Sequence, residues 1–308
     1  MTGWGLCTTV KAPADQVLAF VAHHLALGAA RIWLHFDEPD DPAMAAVADL
    51  PGVESVACDD AYWHALMGRR PGKHQNRQSR NMQRVYALGA LPWVAHIDVD
   101  EFLWPARPVA DVLAGVPEDA PLIRMAPHEA LHDPALPDDI FTARHFRAAL
   151  KGDGRAADRA LVFADYAGLL PEGVLSHSAG KCFFRGGLRG MEPRLHGAFR
   201  WGERVRVDGF TPDIALLHFH AQDPVAWKDR LAFRIARGAY QYNPPLAEWL
   251  GNAAQHEVDA FYAAVQNAAP GTVAMLRSMG ALITADLGLR ARVAGLTPPS
   301  ARPVSDPR

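Results

Sequence analysis

The sequence predicts an α/β fold built on a largely parallel sheet, with a helical segment towards its C-terminal end. Three observations indicate this class. The first half alternates short apolar runs with segments of helical spacing, which is typical of strands joined by crossover helices. The last part is rich in Ala and Leu, also at helical spacing. The 308 residues are enough for one large α/β domain with a sizeable core.

The first half supplies the clearest elements. A helix is predicted between the first two strands, where apolar residues follow helical spacing from Pro13 to Gly28. The stretch WVAHIDVDEFLWP at 93–105 predicts a strand that runs straight into a cluster of acids. The other elements predicted in this half are strands at 4–10, 31–36 and 53–57 and a helix at 74–89.

The second half is less regular. Gly, Pro and His are frequent between 106 and 210, and long loops of this kind are often functional. Strands are predicted at 121–125, 181–185 and 214–220, and helices at 223–238 and 245–295, with breaks near 243–245 and 270–271. The simplest division is a catalytic domain at 1–240, a helical extension at 241–296 and a disordered tail at 297–308.

Composition narrows the functional classes. A net charge of −3 gives no support to a nucleic-acid partner, since such proteins usually carry a basic excess. Cys7, Cys58 and Cys182 are odd in number and widely spaced, which argues against a disulfide framework or a zinc knuckle. No signal-peptide layout and no membrane-spanning run is visible. We expect a cytoplasmic protein with at most peripheral membrane association.

The acids after the 93–105 strand are the strongest candidate site. Alternation in a strand predicts that Asp98 and Asp100 share one side, with Glu101 next to them. Carboxylates at the carboxyl end of a parallel strand lie where α/β sheets bind ligands. Acids facing one point favour a divalent cation, and Mg²⁺ or Mn²⁺ suits oxygen ligands. A bare Asp-x-Asp is also compatible with a solvated turn.

Four stretches resemble one known group of enzymes. WVAHIDVDEFLWP resembles the W-h-x-x-x-D-x-D-E-F signature (h, apolar) of a glycosyltransferase family-2-like group that is similar to the family-92 enzymes. FVAHHLALGAARIWLHFDEPDD at 20–41 resembles that group's E-W-x-x-H-H-x-x-x-G-h-x-x-h-h-h-h-D-N-x-S-x-D block. LLHFHAQDPVAWKDR at 216–230 is similar to its h-x-H-Y-x-x-K-S-x-x-x-h-x-x-K motif, and GKCFFR at 180–185 is similar to G-K-x-h-h-R.

The resemblance implies a GT-A fold, a Rossmann-like mixed sheet flanked by helices, that transfers a sugar from a nucleotide-sugar, UDP-sugar first, with inversion. It implies that Mn²⁺ or Mg²⁺ is bound by Asp100 and His218, with Asp98 contacting the metal or the ribose. His220 shares the face of His218 by alternation, and it stays an alternative ligand. Asp37 is expected near the base or ribose. The implied acceptor is a glycan or a lipid-linked hydroxyl.

The chain departs from the group's pattern at several positions. Ala19 stands where the group usually has Glu, Phe219 replaces Tyr, and Gln222-Asp223 replace Lys-Ser. The first strand ends Thr8-Thr9-Val10-Lys11 instead of Arg/Lys-Asn-Glu. Thr8 and Thr9 are still expected at the nucleotide-sugar, because the resemblance places the donor near the end of the first strand.

Other candidates have competing interpretations. Lys181 and Arg185 suit phosphate binding, or they are solvent-exposed strand ends. Asn76 belongs to a polar segment before a helix that either meets the nucleotide or is plain surface. The general base that an inverting transfer requires is sought in loop-like stretches after the acids, where spacing does not separate the candidates Glu129, Asp133 and Asp213.

Two other functions compete with sugar transfer. A metal-dependent phosphoesterase or nucleotidyltransferase also gathers acids at strand ends, and it predicts a second acidic or histidine cluster. A non-catalytic relative would bind a glycan without turnover. Loss of activity in Asp100→Ala distinguishes this last possibility from catalysis.

Overall fold

The computed structural model describes residues 3–296. Its main sheet has ten strands, and three further strands form a small antiparallel sheet. In chain order the strands are β1 (Trp4–Val10), β2 (Arg31–Phe36), β3 (Val53–Ala57), β4 (Trp93–His96), β5 (Glu101–Pro105), β6 (Leu122–Ala130), β7 (His145–Ala148), β8 (Lys181–Arg185), β9 (Met191–Arg194), β10 (Gly197–Arg200), β11 (Glu203–Arg204), β12 (Ile214–His218) and β13 (Leu282–Thr284).

Helices flank the main sheet and make up most of the C-terminal segment. Within the described range they are α1 (Ala14–Ala26), α2 (Ala43–Val47), α3 (Asp60–Met67), α4 (His74–Ala87), α5 (Val109–Ala114), α6 (Asp139–Thr142), α7 (Ala156–Phe163), α8 (Pro224–Asp229), α9 (Leu231–Ala236), α10 (Pro244–Asn252), α11 (Gln255–Gln266), α12 (Pro270–Ser278) and α13 (Leu289–Ala294). None of these helices is long and apolar enough to cross a bilayer.

The predicted fold class is confirmed, because the main sheet is mixed and flanked by helices in a Rossmann-like GT-A arrangement. Its strand order is β13-β7-β6-β8-β4-β1-β2-β3, with β12 pairing with both β5 and β6. β4, β1, β2 and β3 are parallel, while β8 runs antiparallel to β4. β1, β2 and β4 are buried along almost their whole length, as continuous apolar runs in a parallel sheet require.

The 93–105 stretch is two strands joined by a turn, so Asp98 and Asp100 lie in a turn and not in the strand whose alternation was expected to orient them. β4 ends at His96, and the Glu101 N–H donates back to the Asp98 carbonyl at 2.9 Å, the hydrogen bond of a β-turn. After the turn, β5 leaves β4 and pairs antiparallel with β12. Alternation therefore does not set the directions of the Asp98 and Asp100 side chains.

β6 joins the two parts of the main sheet. Its first half pairs with β8, and its second half pairs with β12 in parallel and with β7 antiparallel. This pairing places His218, the last residue of β12, opposite Glu101 of β5 and Glu129 of β6. His218, which is buried, therefore lies at the carboxyl edge of the sheet, beside the Asp98–Asp100 turn.

The C-terminal segment 241–296 contains four helices and one strand. The helices predicted at 245–295 are broken near Pro270-Gly271 as expected, but the region also contains β13, which was not predicted. Pro270 begins α12, and Gly280 follows this helix with a φ of +64°, a left-handed conformation that glycine adopts easily. β13 then pairs antiparallel with β7. α13 packs against α1, and its Leu289 lies in the main core. The predicted tail at 297–308 lies outside the described residues.

Three buried clusters organise the packing of the described residues, one of them around Trp33 and Met82 where α4 packs on the sheet. The main core lies between the sheet and its helices and includes Phe20, Trp93 and Phe102. A second core, with Trp227 and Phe261, lies under the C-terminal helices. His23 and His24 are buried in α1, where the His23 Nε2 donates to the Leu103 carbonyl and the His24 Nδ1 donates to the Phe20 carbonyl. The His24 Nε2 accepts from the Leu103 N–H, so both rings take part in packing. The region predicted as one helix at 223–238 is two short ones, α8 and α9.

Candidate functional site

The candidate site is the turn Asp98–Asp100 at the carboxyl end of β4. In a parallel sheet this edge also receives the ends of β1 and β2, so the residues after these strands face the same region. The carboxyl side chains of Asp98 and Asp100 are 26% and 30% exposed, which leaves both partly open to the surface. Ligands arriving at this edge therefore have access to two carboxylates.

Asp98 is held from two sides. The Lys181 Nζ donates to its Oδ2 at 2.6 Å, and the Gln78 Nε2 donates to its Oδ1 at 2.7 Å. Burial would raise the pKa of Asp98, but the ammonium of Lys181 outweighs burial and holds that pKa well below its usual range. Asp98 is therefore an oriented, ionised carboxylate.

Lys181 is the buried cation of the site. It is the first residue of β8, and its side chain is only 1% exposed. Burial disfavours the charged ammonium, yet Asp98 and Glu101 raise the pKa of Lys181 above its ordinary value. Its Nζ lies 3.5 Å from the Glu101 Oε2. Lys181 is thus neither solvent-exposed nor turned towards the surface as the phosphate-binding interpretation requires; it fixes the acids.

Glu101 stabilises the Asp98–Asp100 turn from its buried side. Its Oε2 accepts from the Asp98 backbone N–H at 2.7 Å, while its Oε1 has no hydrogen-bond partner within the described part of the chain. Burial raises the pKa of Glu101 above the usual range for a glutamate, and the neighbouring Asp98 charge adds to this rise against the opposing effect of Lys181. The side chain is fully buried, so it shapes the turn without facing the surface.

Asp100 lies beside His218. The His218 Nε2 is 3.8 Å from the Asp100 Oδ2, and its Nδ1 has no hydrogen-bond partner among residues 3–296. Burial would lower the pKa of His218, but the carboxylates of Asp100, Glu101 and Asp98 together raise it to about 9. This histidine therefore lies in the negative field of all three acids.

His220 is bound by other side chains. This distinguishes it from His218, whereas strand alternation had left both as candidate metal ligands. The Arg234 guanidinium donates to its ring and, at 2.8 Å, to its backbone carbonyl. Its Nε2 also lies 3.3 Å from the Tyr240 hydroxyl. The structure thus brings His218, and not His220, to Asp100.

Asp100 and His218 fit a divalent cation as a pair of ligands. Their 3.8 Å separation exceeds a hydrogen bond, and oxygen plus imidazole nitrogen is a donor set that suits Mn²⁺. Within residues 3–296 no group of three or more His, Cys, Asp or Glu side chains is arranged to hold a metal. The predicted metal ligands also included Asp98, but both carboxylate oxygens of Asp98 already accept hydrogen bonds from Lys181 and Gln78.

The ends of β1 and β2 lie beside α4. Arg77 contacts both carboxylate oxygens of Asp37, at 2.7 and 2.6 Å, and Arg70 donates to the Asp37 carbonyl at 2.7 Å. The Thr9 hydroxyl accepts from Asn81 of α4 at 2.9 Å. Thr8 is buried, and its hydroxyl has no partner in the described chain. Asp37, Thr8 and Thr9 thus border the edge where a nucleotide is expected.

The structure argues against Glu129 and Asp213 as general bases. Glu129 is buried against Arg147 at 2.6 Å and accepts from the backbone N–H groups of Leu175 and Ser176, so both its oxygens stabilise the fold. Asp213 pairs with Arg107 at 3.1 Å and precedes β12, whereas His218 ends that strand. Five strand residues separate the two positions by roughly 16 Å.

Asp133 and Arg185 also have local structural contacts. Asp133 accepts from the Ala135 N–H at 3.0 Å in the turn after β6. Arg185 donates to the carbonyls of Ala120 and Pro117, and it stacks over Trp93 at 4.5 Å. Since Arg185 pairs with the first residue of β4, it lies at the opposite end of that strand from Asp98. The phosphate-binding role predicted for Arg185 is therefore contradicted by its position.

Gln78 belongs to the same polar segment as Asn76, which the sequence singled out, whereas His177 and His196 were not among the predicted site residues. Gln78 contacts Asp98 from α4, on the side of the helix away from Asn76. His177 packs against His196 and His218, with ring centroids 4.4 and 5.9 Å apart. His177 comes shortly before Gly180-Lys181, and this proximity in sequence was a signal that could have identified it. His196 has no such signal, because only the folding of β8 to β10 brings it near.

No family model matches the chain, and no curated protein matches it. Among solved structures, it is similar to HddC from Yersinia pseudotuberculosis (9% identity, TM-score 0.30, 47% of this chain and 68% of that one). It is also similar to CMP:2-keto-3-deoxy-manno-octonic acid synthetase complexed with CTP (15%, 0.26, 41% and 53%) and to S. aureus TarS 1–349 (9%, 0.30, 85% and 70%). These distant likenesses assign no activity to the chain, and the resemblance to the family-92 group has no counterpart among family models.

Proposed function

We propose that the protein is a metal-dependent glycosyltransferase that transfers a sugar from a nucleotide-sugar, UDP-sugar first, to a hydroxyl of a glycan or lipid-linked acceptor with inversion. One observation carries the proposal. The turn Asp98–Asp100 ends a buried parallel strand, Asp98 is oriented by Lys181, and Asp100 stands 3.8 Å from His218. This arrangement presents an oriented carboxylate and a ligand pair at the edge where α/β sheets bind nucleotides.

The residues of the site divide the work. Asp100 and His218 would hold Mn²⁺ or Mg²⁺, and the bound ion would neutralise charge on the diphosphate leaving group. Asp98, fixed by Lys181 and Gln78, offers its remaining lone pairs to a ribose hydroxyl. Asp37 and Thr9 border the neighbouring strand ends and suit the nucleoside. Lys181 keeps the local charge balanced without meeting the donor.

Turnover with nucleotide-sugars tests the proposal. Purified protein is incubated with UDP-, GDP- and TDP-sugars and Mn²⁺ or Mg²⁺, and nucleoside diphosphate release is measured. We expect release from one of these donors, UDP-sugar first, and its loss when EDTA removes the metal. Release of a nucleoside monophosphate with sugar phosphate would indicate a phosphoesterase instead. Turnover that EDTA leaves unchanged would contradict the metal-dependent transfer.

A further inference from the structure

A cationic cavity of about 570 Å³ lies next to the candidate site. It is formed by the loop between α3 and α4, the first turns of α4 and the end of β9. Asn76 and Ser79 contribute polar groups to its wall, and no acidic side chain lines it within the described residues. Its charged lining residues are Arg69, Arg70, Lys73, Arg80 and Arg194.

Most of these charges are not compensated within the protein. Arg69 and Lys73 are exposed and form no ion pair in the part of the chain that the structure describes. Among residues 3–296, Arg80 donates from its side chain only to the neutral Gln83, at 2.9 Å. Arg194 pairs with Glu192 at 3.0 Å, and Arg70 shares Asp37 with the more closely bound Arg77.

The chain as a whole has a net charge of −3, so this concentration of cations is local. Like charges lining a concave space raise the potential there and attract anions. Lys73 is also the residue at the N-terminal cap of α4 and makes no side-chain bond to that helix end. The positive end of a helix of 14 residues therefore adds to the same field. The positive potential of the side chains and of the helix end therefore favours an anion in this cavity.

The cavity is a neighbour of the donor edge and not a part of it. Asn76 and Arg80 lie on one side of α4, whereas Gln78, about 200° from Asn76 around the helix, contacts Asp98. Arg70 links the two regions, because it lines the cavity and also donates to Asp37. The cavity therefore adjoins the end of β2 at Asp37, which is the part of the donor edge nearest to it in these contacts.

We propose that this cavity binds a phosphate or carboxylate group of the acceptor, so that the enzyme selects an anionic glycan or polyol over a neutral one. That the bound anion belongs to the acceptor rests on the proposed function, while the anion site itself rests on the cavity alone. The guanidinium groups suit the planar geometry of a carboxylate and the oxygens of a phosphate equally. Both chemistries therefore have to be compared.

Calorimetric titration without metal or nucleotide tests the anion site, with glucose 6-phosphate, glucuronate and glucose as probes. We expect wild type to bind at least one of the two anions and not glucose. The double variant Arg69→Gln/Lys73→Gln should weaken that binding by about tenfold or more. The matched control Arg204→Gln/Lys151→Gln removes the same charge elsewhere and should bind as wild type does. Equal affinity in wild type and in Arg69→Gln/Lys73→Gln, or binding of neither anion, overturns the proposal.

A second titration, of UDP with Mn²⁺, separates this proposal from the proposed function. Arg69→Gln/Lys73→Gln should keep UDP binding, and Asp100→Asn should lose the tightening of UDP binding by Mn²⁺, about tenfold or more, while still binding the anion probe. Parallel loss of both ligands in either variant would show one shared site and overturn a separate acceptor subsite. If wild type binds the anion but no UDP with Mn²⁺, the proposed function fails while the cavity keeps its anion.

Discussion

Asp100→Asn is expected to abolish most sugar transfer while leaving the fold intact. The amide keeps the size of the side chain but removes the negative charge beside His218, where the metal would be held. Loss of one group that stabilises developing charge costs on the order of 10²–10³-fold in kcat. The carboxyl side chain is 30% exposed and lies 3.8 Å from the His218 Nε2, so folding should tolerate the change.

The measurement is kcat with the best donor, together with a circular-dichroism melt. Asp213→Asn is the matched control, because Asp213 is a similarly exposed aspartate at the far end of β12 and pairs with Arg107. We expect that control to keep transfer near the wild-type rate. A fully active Asp100→Asn, or an inactive but folded Asp213→Asn, would contradict the assignment of the site.

Lys181→Met is expected to destabilise the protein by about 3–5 kcal/mol, since it leaves the buried Glu101 and the partly exposed Asp98 without their buried cation. The ammonium is 1% exposed and lies 2.6 Å from Asp98 and 3.5 Å from Glu101. Methionine has a similar length and fills the space, so the loss is electrostatic and not a cavity. Urea unfolding followed by circular dichroism gives the free energy of unfolding.

Lys151→Met is the control for that change. Lys151 pairs with Glu172 at 2.9 Å, but its side chain is 65% exposed. Exposed pairs contribute about 0–1 kcal/mol, so the control should lose little stability. Adding Asp98→Asn to Lys181→Met should restore part of the loss, because it removes one of the stranded charges. Equal effects of Lys181→Met and Lys151→Met would mean that the buried pair does not stabilise the fold.

The parallel part of the sheet was predictable because its signal is local. β1, β2 and β3 are short apolar runs bounded by helices and turns, and the structure has them at the predicted bounds. The break between β4 and β5 was not predictable from periodicity. Ile97 and Val99 keep the apolar alternation of a strand past His96, and only the pairing of β5 with β12, far along the chain, shows that the strand ends.

The site was predictable in part for the same reason. Asp98 and Asp100 were found because they follow an apolar strand, and His218 because its motif was recognisable. The contacts of Lys181 with Asp98, and of His177 with His196, arise from pairing between distant segments. Glu129 and Asp213 were suggested by their order along the chain, which carries no information on distance. Burial of Glu129 against Arg147 is visible only in three dimensions.

UDP binding by calorimetry, with Mn²⁺ and then with EDTA, tests the central claim most directly, because it needs neither the sugar nor the acceptor. With the wild type we expect Mn²⁺ to tighten UDP binding by about tenfold or more, and in Asp100→Asn we expect that gain to disappear. The same UDP affinity in Mn²⁺ and in EDTA, in the wild type, would contradict a cation held between Asp100 and His218.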